Sequence, residues 1–251
     1  MSYQLLCVIP LYKTTPKLIM PLISSLARYD GTNLVFYKFY YDDTVPEKVI
    51  SLMREILITC QIGNYGFDFE YCQNPHSGYK RNRGVEYAIK YNIPYIWFID
   101  QDDWITETFA FNSVIEVLNQ YDFPFIKINF TIPNYIDEYN AKTIKAVATM
   151  PWQYVFRTDE IKNYKFSEEI EYGSDIPFVI FYLLDKNYLR QDGINNFTWI
   201  NSPVMLGASI YFYNYLNSSS VMGTVQTNNS NQEYNTVVKI LEERLEHEKK
   251  I

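Results

Sequence analysis

The chain has 251 residues and a formal net charge of −7, from 22 lysines and arginines against 29 aspartates and glutamates. This length suits one large α/β domain, and the acidic balance gives no electrostatic reason to expect nucleic acid as a partner. Only two histidines and three cysteines occur. The chain therefore has few residues for a clustered histidine metal site, a Ser–His–Asp triad or a disulfide scaffold. Acid–base chemistry is expected to rest on carboxylates.

The cellular compartment is predicted from apolar runs and cysteines. The longest apolar runs, such as residues 177–184, fall far short of the ~20 residues that span a bilayer. Residues 1–8 have neither a charged region nor a cleavage site of a signal peptide. Cys7, Cys60 and Cys72 show no metal-ligand pairing, which fits a reducing compartment. We therefore expect a cytoplasmic protein with free, buried thiols and no transmembrane segment, with peripheral membrane contact left open.

Strands and helices alternate along the first hundred residues. Apolar runs that end in proline or aspartate predict the strands, and apolar residues at helical spacing predict the helices. The predicted order is strand 4–10, helix 15–29, strand 34–41, helix 46–59, strand 67–72, helix 77–91 and strand 95–99. Such alternation is typical of a mostly parallel, doubly wound sheet.

The pattern loosens beyond Trp104, where the sheet is expected to become mixed. We predict a helix at 106–120, a strand at 125–130, irregular sequence up to 150, helices near 158–163 and 176–186, and a strand near 204–211. A polar loop at 218–232 precedes a charged amphipathic helix at 233–250. Its charged face predicts i,i+4 ion pairs, and its apolar stripe leaves open a homodimer contact.

The strongest chemical signal is the acidic cluster that follows the strand at 95–99. Asp100, Asp102 and Asp103 come directly after this apolar run. The carboxyl edge of an open α/β sheet is where such folds bind ligands. Two carboxylates in an Asp-x-Asp arrangement can hold one Mg²⁺ or Mn²⁺ and leave positions open for a diphosphate. The alternative is a solvated turn in which Asp102 or Asp103 caps the next helix.

Three further motifs precede this cluster, each at the end or the start of a predicted element. They are Pro10-Leu11-Tyr12, Asp42-Asp43-Thr44 and Arg81-Asn82-Arg83-Gly84, in this order before Asp100-Gln101-Asp102-Asp103. Together the four motifs resemble the family-two glycosyltransferases, and the resemblance covers roughly residues 4 to 185. It implies the GT-A fold, an α/β architecture with a mostly parallel mixed central sheet flanked by helices.

The resemblance implies a nucleotide-sugar site at the carboxyl edge. Asp42 or Asp43 would accept a hydrogen bond from the uracil N3–H of a UDP-sugar, Pro10 and Tyr12 would wall the base, and Arg81 would close over it. The family's glycine and serine after the Asp pair are Thr44 and Val45 here. This leaves open which aspartate pairs with the base, and a turn after an edge strand is the structural alternative.

The same resemblance implies how the metal and the diphosphate are held. Asp102, with Asp100 or Asp103, would bind Mn²⁺ or Mg²⁺, and Asp100 would also contact the donor. Near the C-terminus the family has a Tyr-x-Tyr-Arg segment followed by a serine, and both the Arg and the Ser approach the diphosphate. Ser219 is the matching serine, but Asn214 takes the arginine position. The missing phosphate cation would come from Lys80 or Arg190, or be left to the metal.

The acceptor side is implied by a second acidic segment. Asp175 matches the family's general base, which deprotonates the acceptor hydroxyl in an inverting displacement, although it could also cap the helix that follows. Ser174 replaces the base's usual acidic neighbour and would line the acceptor site. Trp152 lies where the family enters its acceptor region, so its indole could stack on a sugar, with burial in the core as the alternative.

Together these observations predict an inverting, metal-dependent hexosyltransferase that moves a sugar from a UDP-sugar to a saccharide or other hydroxyl acceptor. Residues 1–215 would form the catalytic domain, with a nucleotide-sugar half at 1–104 and an acceptor half at 105–215, and residues 216–251 would form the C-terminal loop and helix. A nucleotidyltransferase of related fold and an inactive nucleotide-sugar-binding module remain as alternatives. Neither the donor sugar nor the acceptor follows from the sequence.

Overall fold

The computed structural model describes residues 3–27, 34–60, 66–106, 110–121, 123–131, 150–169, 174–193, 196–201, 203–212, 239–240 and 242–243. The strands are β1 Leu5–Pro10, β2 Val35–Tyr41, β3 Phe67–Tyr71, β4 Tyr95–Phe98, β5 Trp104–Ile105, β6 Phe125–Thr131, β7 Tyr154–Arg157, β8 Leu189–Gly193, β9 Asn196–Trp199 and β10 Met205–Phe212. The helices are α1 Pro16–Ala27, α2 Glu47–Thr59, α3 Ser77–Lys90, α4 Ala110–Gln120, α5 Thr158–Ile161 and α6 Asp175–Asp185.

Eight strands form one sheet in the order β3-β2-β1-β4-β7-β6-β10-β5. The pairs β1–β2, β2–β3, β1–β4 and β6–β10 are parallel, whereas β7 is antiparallel to both β4 and β6, and β5 is antiparallel to β10. Strands β8 and β9 form a separate antiparallel hairpin. The predicted mixed, mostly parallel sheet is therefore confirmed, and it is continuous between residues before and after Trp104.

The elements that the sequence analysis missed are short or depend on distant partners. Strand β7 has only four residues, yet it fills the place between β4 and β6. A 3₁₀ turn at Pro151–Gln153 leads into it. Strand β5 has two residues, and the β8–β9 hairpin lies where no strand was predicted. Such runs are too short to show a period of their own, so their pairing is decided by the rest of the sheet.

Both faces of the sheet are covered, which explains why β1 is buried along its whole length. Its alternate residues Leu5, Cys7 and Ile9 join a core with α1, α2 and α4, while Leu6 and Val8 join a second core with α3 and α6. Helix α3 packs closely on β1 because it carries Gly84. A Cβ atom there would lie 2.5 Å from the Val8 side chain.

The predicted C-terminal helix falls mostly outside the described residues. Lys239, Ile240, Glu242 and Glu243 are helical, and Lys239 and Glu243 form an i,i+4 ion pair at 3.9 Å. The Ile240 side chain packs against the core on the α3 and α6 face of the sheet. This part of the apolar stripe is therefore used within the chain. Cys7 and Cys72 are free, buried thiols, as predicted, whereas Cys60 is free but exposed, so the prediction of a buried thiol was wrong for Cys60.

Candidate nucleotide-sugar site

The residues of the four motifs meet at the carboxyl edge of the sheet. Strands β1, β2 and β4 run parallel and end side by side, so the segments beginning at Leu11, Asp42 and Ile99 leave the same edge. Pro10 is the last residue of β1 and is buried against Tyr40 of β2, while Tyr12 is half-buried beyond it. The spacing along the chain had predicted this convergence, because parallel strands share one carboxyl edge.

Gln101 joins the acidic cluster to the segment after β1. Its side-chain amide donates to the Tyr12 carbonyl at 2.7 Å and accepts from the Tyr12 N–H at 3.1 Å. The Thr14 hydroxyl donates to the same Gln101 oxygen. The sequence analysis treated Gln101 as the unspecified middle residue of Asp-x-Asp. An amide has both a donor and an acceptor, so it can hold a backbone segment in register in a way that a carboxylate cannot.

Arg81 of α3 faces the acidic cluster. Its guanidinium donates to Asp100 at 2.8 Å and lies over the Phe166 ring, 5.6 Å from the ring centroid. The side chain is only 8% exposed, and its Nε has no hydrogen-bond partner among the described residues. The structure thus ties Arg81 to the predicted metal motif, in addition to the base-covering role that the resemblance implies. A buried N–H without a partner marks a place where an oxygen ligand would be favourable.

The three carboxylates of the cluster have different environments. Asp103 is fully buried, and its N–H donates to the Asp100 carbonyl at 3.3 Å. Asp100 and Asp102 are partly exposed. Burial, followed by the charge of Asp100, raises the pKa of Asp102 to about 7. Of the predicted ligands, Asp100 and Asp102 are therefore the pair that a dissolved cation can reach, whereas Asp103 is enclosed by protein.

This pair fits a divalent cation by its chemistry. Both carboxylates offer hard oxygen ligands, and a cation would offset the charge of Asp100 that raises the pKa of Asp102. Within the described residues, no group of three or more His, Cys, Asp or Glu side chains could enclose a metal ion. Two carboxylate ligands would leave positions on the ion for water and phosphate oxygens, as is common for Mg²⁺ sites.

Asp175 is the first residue of α6, and its pKa is raised to about 6. Burial is the main cause, and the charge of Asp100 adds to it. Arg81 and hydrogen bonds from the backbone N–H groups of Asp175 and Ile176 act in the opposite direction. The carboxylate is therefore close enough to Arg81 and Asp100 to sense their charges, and it also accepts from the helix N-terminus. Ser174, and not Asp175, occupies the N-cap position of α6, so the predicted cap role was misplaced by one residue, while the role of Asp175 as a base stays a prediction.

Asn82 fixes the segment that carries the second acidic run. Its side-chain amide donates to the Phe166 carbonyl at 3.0 Å and to Glu168 at 2.7 Å, and it accepts from the Phe166 N–H at 2.9 Å. Gly78 lets the same segment approach α3, since a Cβ there would lie 1.9 Å from the Ser167 carbonyl oxygen. The Arg-Asn motif therefore links the predicted donor and acceptor sides of the site.

Of the predicted base-pairing aspartates, Asp42 is buried and Asp43 is exposed. Asp42 forms an ion pair with the fully buried Lys80 and accepts from the Thr44 N–H at 2.7 Å. Asp43 accepts a hydrogen bond from Tyr71, whose pKa it raises. Tyr71 ends β3 at the same edge and was not singled out by the sequence analysis. Because Lys80 is engaged by Asp42, it is not available as the phosphate cation that the sequence analysis considered.

Trp152 and Ser174 do not line an open acceptor surface. The Trp152 side chain is 1% exposed and belongs to the core shared with α1, and its carbonyl accepts from the Trp97 indole at 2.8 Å. The core alternative for Trp152 is thus the one the structure supports, because the buried ring presents no face to a sugar. Ser174 is 1% exposed, and its hydroxyl has no hydrogen-bond partner among the described residues.

Some predicted positions lie outside the described residues, namely Ser219, Asn214 and the irregular segment at 132–149. Arg190, the other candidate for the phosphate cation, is exposed on β8. No helix in the described ranges combines the length and apolar character needed to cross a membrane.

Comparison with known proteins identifies the architecture. No protein-family profile matches the sequence, and no curated protein matches it. The structure of S. aureus TarS in complex with UDP is similar, with a TM-score of 0.62 at 15% identity over 84% of this chain and 60% of that one. The TarS complex with UDP-GlcNAc gives the same TM-score over 58% of its chain. The mannosyltransferase PcManGT from Pyrobaculum calidifontis, in complex with GDP-Man and Mn²⁺, gives 0.53 at 12% identity over 69% and 49%.

The fold is GT-A. The resemblance drawn from the four motifs is thus confirmed at the level of architecture. The chain spans less than two thirds of the length of these solved structures, 60% of TarS and 49% of PcManGT. In the GT-A sheet of this chain, the edge after β1, β2 and β4 carries the Asp100, Asp102 and Asp175 carboxylates, with Arg81 among them.

Proposed function

We propose that this protein is an inverting glycosyltransferase that moves a sugar from a UDP-sugar to a hydroxyl acceptor with the help of a divalent cation. One observation carries the proposal. At the carboxyl edge of a GT-A sheet, Arg81 donates to Asp100, the charge of Asp100 raises the pKa of Asp102, and both Arg81 and Asp100 act on a third carboxylate, Asp175, whose pKa is raised to about 6. Perturbed carboxylates gathered at a ligand-binding edge are typical of catalytic sites.

The donor would bind along the edge from β3 towards β4. Tyr12, Asp43 and Tyr71 border the outer part of this edge, and Asp43 offers the exposed carboxylate that a uracil N3–H requires as an acceptor. The diphosphate would then lie towards Arg81 and Asp100. The similar structures support this choice of ligand, because TarS binds UDP and UDP-GlcNAc and PcManGT binds GDP-Man with Mn²⁺.

Asp100 and Asp102 would hold Mn²⁺ or Mg²⁺. When bound, the ion supplies positive charge that stabilises the leaving diphosphate. Arg81 contributes a fixed positive charge at the same place, held by its bond to Asp100 at 2.8 Å. Charges that are already in position stabilise a leaving group without reorganising during the reaction, which is commonly a large contribution to catalysis.

Asp175 would act as the general base. The acceptor oxygen forms its bond to the anomeric carbon while the bond from that carbon to the β-phosphate oxygen breaks, and the electron pair leaves with UDP. The hydroxyl proton passes to Asp175. A single displacement from the opposite face inverts the anomeric centre. A pKa of about 6 suits this role, since the carboxylate is ionised at neutral pH yet is a stronger proton acceptor than an ordinary aspartate.

The test measures UDP release from a panel of UDP-sugars and GDP-Man, with Mn²⁺ or with EDTA, in the presence of saccharide acceptors. Metal-dependent release of UDP with formation of a product of inverted configuration, read by NMR, is the expected result. Pyrophosphate release from a nucleoside triphosphate would support the nucleotidyltransferase alternative instead. Tight binding of UDP-sugars without turnover over a broad acceptor panel would support the inactive binding module.

A further inference from the structure

Lys80 is a fully buried charged side chain of the site. It is 0% exposed, and its ammonium donates to the Leu11 carbonyl at 2.6 Å and forms an ion pair with Asp42. Burial lowers the pKa of Lys80, while the hydrogen bond and charge of Asp42 oppose that shift. The carboxylate and the carbonyl provide partners for the charge and the N–H groups of the buried ammonium, so the Lys80 side chain is held in one position.

The partners of Lys80 lie in two different loops at the edge of the sheet. Leu11 directly precedes Tyr12 in the loop after β1, and Asp42 directly precedes Asp43 in the loop after β2. A second contact joins the same loops, because the Lys13 N–H donates to the Thr44 hydroxyl at 2.9 Å. Lys80 is therefore the buried member of a pair of links between the loops that carry Tyr12 and Asp43.

Helix α3 extends this connection to the third loop. Arg81, the next residue along the helix, donates to Asp100 in the loop after β4. Two consecutive side chains of α3 thus hold three loops of the carboxyl edge. Lys80 holds the loops after β1 and β2, and Arg81 holds the loop after β4. A helix that is itself packed on β1 through Gly84 gives these contacts a rigid base.

We propose that Lys80 is a positioning residue for the nucleotide end of the donor. This inference rests on the proposed function. Lys80 keeps the loop of Tyr12 and the loop of Asp43 at a fixed separation, and so pre-forms the space that the base enters. Its contribution is to donor binding, equally in the ground state and in the transition state, because it lies beside the base and not beside the reacting carbon. Loss of Lys80 should therefore raise donor KM and leave kcat nearly unchanged.

Lys80→Met tests this proposal by keeping the length of the side chain and removing the ammonium. Alone it leaves Asp42 buried without its cation, which destabilises the fold. Lys80→Met combined with Asp42→Asn removes both charges and should restore much of the thermal stability. We expect this double variant to bind UDP at least ~10-fold more weakly and to raise donor KM by a similar factor, with kcat within about threefold of wild type.

Base selectivity separates positioning from direct recognition by Asp42. If Lys80 and Asp42 only hold the loops, the double variant binds UDP and GDP more weakly by similar factors, and the ratio of the two affinities stays within about threefold of wild type. If that ratio collapses, Asp42 itself reads the base and the proposal is wrong. Lys90→Met, an exposed substitution on the same helix, is the matched control and should leave UDP affinity unchanged.

If neither Lys80 variant folds, Thr44→Val tests whether the links between the two loops support UDP binding. It breaks the second link between the same loops without disturbing a buried charge. Weaker UDP binding with unchanged kcat is expected. Any folded Lys80 variant that binds UDP with wild-type affinity overturns this inference and leaves the proposed function standing. The same holds for Thr44→Val when no Lys80 variant folds. A fall in kcat without a rise in KM also overturns this inference. Failure of the wild-type protein to bind any nucleoside diphosphate overturns the proposed function together with this inference.

Discussion

Arg81 donates a hydrogen bond of 2.8 Å to Asp100, and this contact joins two motifs that lie 19 residues apart in the chain. The arginine is nearly buried and the aspartate is 27% exposed, so the ion pair has one side in protein and one side towards solvent. Asp100 is thereby held in place beside Asp102, and its charge raises the pKa of Asp102. A bound cation would offset the negative charge of Asp100 and Asp102, and the first prediction concerns such a cation.

Asp102→Asn should abolish the effect of Mn²⁺ on UDP binding while leaving the fold intact. The substitution removes one carboxylate ligand without creating a cavity, and it removes the repulsion with Asp100. Titration calorimetry of UDP, with Mn²⁺ and with EDTA, measures the effect. For the wild type we expect Mn²⁺ to tighten UDP binding by at least ~10-fold, as is usual when an ion bridges protein and phosphate.

Asp159→Asn is a suitable control for this experiment, because Asp159 is an exposed aspartate at the start of α5, whose ion pair with Lys162 lies at the surface. It should leave the response to Mn²⁺ unchanged. Equally tight UDP binding by the wild type in EDTA would contradict the metal site at Asp100 and Asp102.

The second prediction concerns the base. UDP should stabilise the protein against heat more than ADP at equal concentration, because an exposed Asp43 carboxylate can accept from the uracil N3–H, whereas the ring nitrogen N1 of adenine is itself an acceptor. Differential scanning fluorimetry with Mn²⁺ present measures the shift. Asp43→Asn should reduce the UDP shift and the preference for UDP together. A shift with ADP as large as that with UDP would rule out the uracil assignment.

The sequence predicted the edge of the sheet better than it predicted the contacts within the site. Each motif at a strand end can be recognised in a short stretch of sequence. Parallel pairing of the strands then places these motifs at one edge of the sheet for any conformation of the loops. The ion pair of Lys80 with Asp42 joins residues 38 apart, and the bond from the Tyr12 N–H to Gln101 joins residues 89 apart. Such pairings depend on the register of distant elements, so no local pattern indicates them.

The position of Trp152 also depends on distant elements that a local sequence pattern does not indicate. An indole near a sugar site can stack on a ring or fill a core, and both uses fit the same local sequence. Here the short strand β7 fills the gap between β4 and β6, and the turn before it inserts Trp152 beside Trp97. The outcome was decided by a four-residue strand whose place in the sheet depends on two distant partners.

The third prediction is that Asp175→Asn stabilises the metal-free protein at pH 8. The pKa of Asp175 is raised from 3.8 to about 6 in the fold, chiefly by burial, so the native state favours the protonated form. Stability is full below about pH 4 and is lost as the pH rises through 6, because the unfolded chain releases this proton first. The loss is about 3 kcal/mol, and the amide does not suffer it.

Thermal denaturation in EDTA between pH 4 and pH 8 measures this difference. The variant and the wild type should have similar Tm values near pH 4, and the variant should be higher by a few degrees above pH 7. Asp185→Asn, at the other end of the same helix, is measured alongside for comparison. A Tm difference that is the same at every pH would contradict a raised pKa at Asp175.

The last prediction is that Asp175→Asn nearly abolishes sugar transfer while it retains donor binding. The amide has the same shape and can still accept from the N–H groups at the start of α6, but it cannot take a proton from the acceptor. Turnover should fall at least ~10²-fold with UDP affinity unchanged.

Wild-type activity should rise with pH through about 6 and then level off, because only the ionised carboxylate serves as a base. A helix cap alone would lose a little stability and keep its turnover. Near wild-type turnover in the variant would therefore exclude Asp175 as the base and turn attention to Glu169, because Glu168 is already engaged by Asn82 at 2.7 Å.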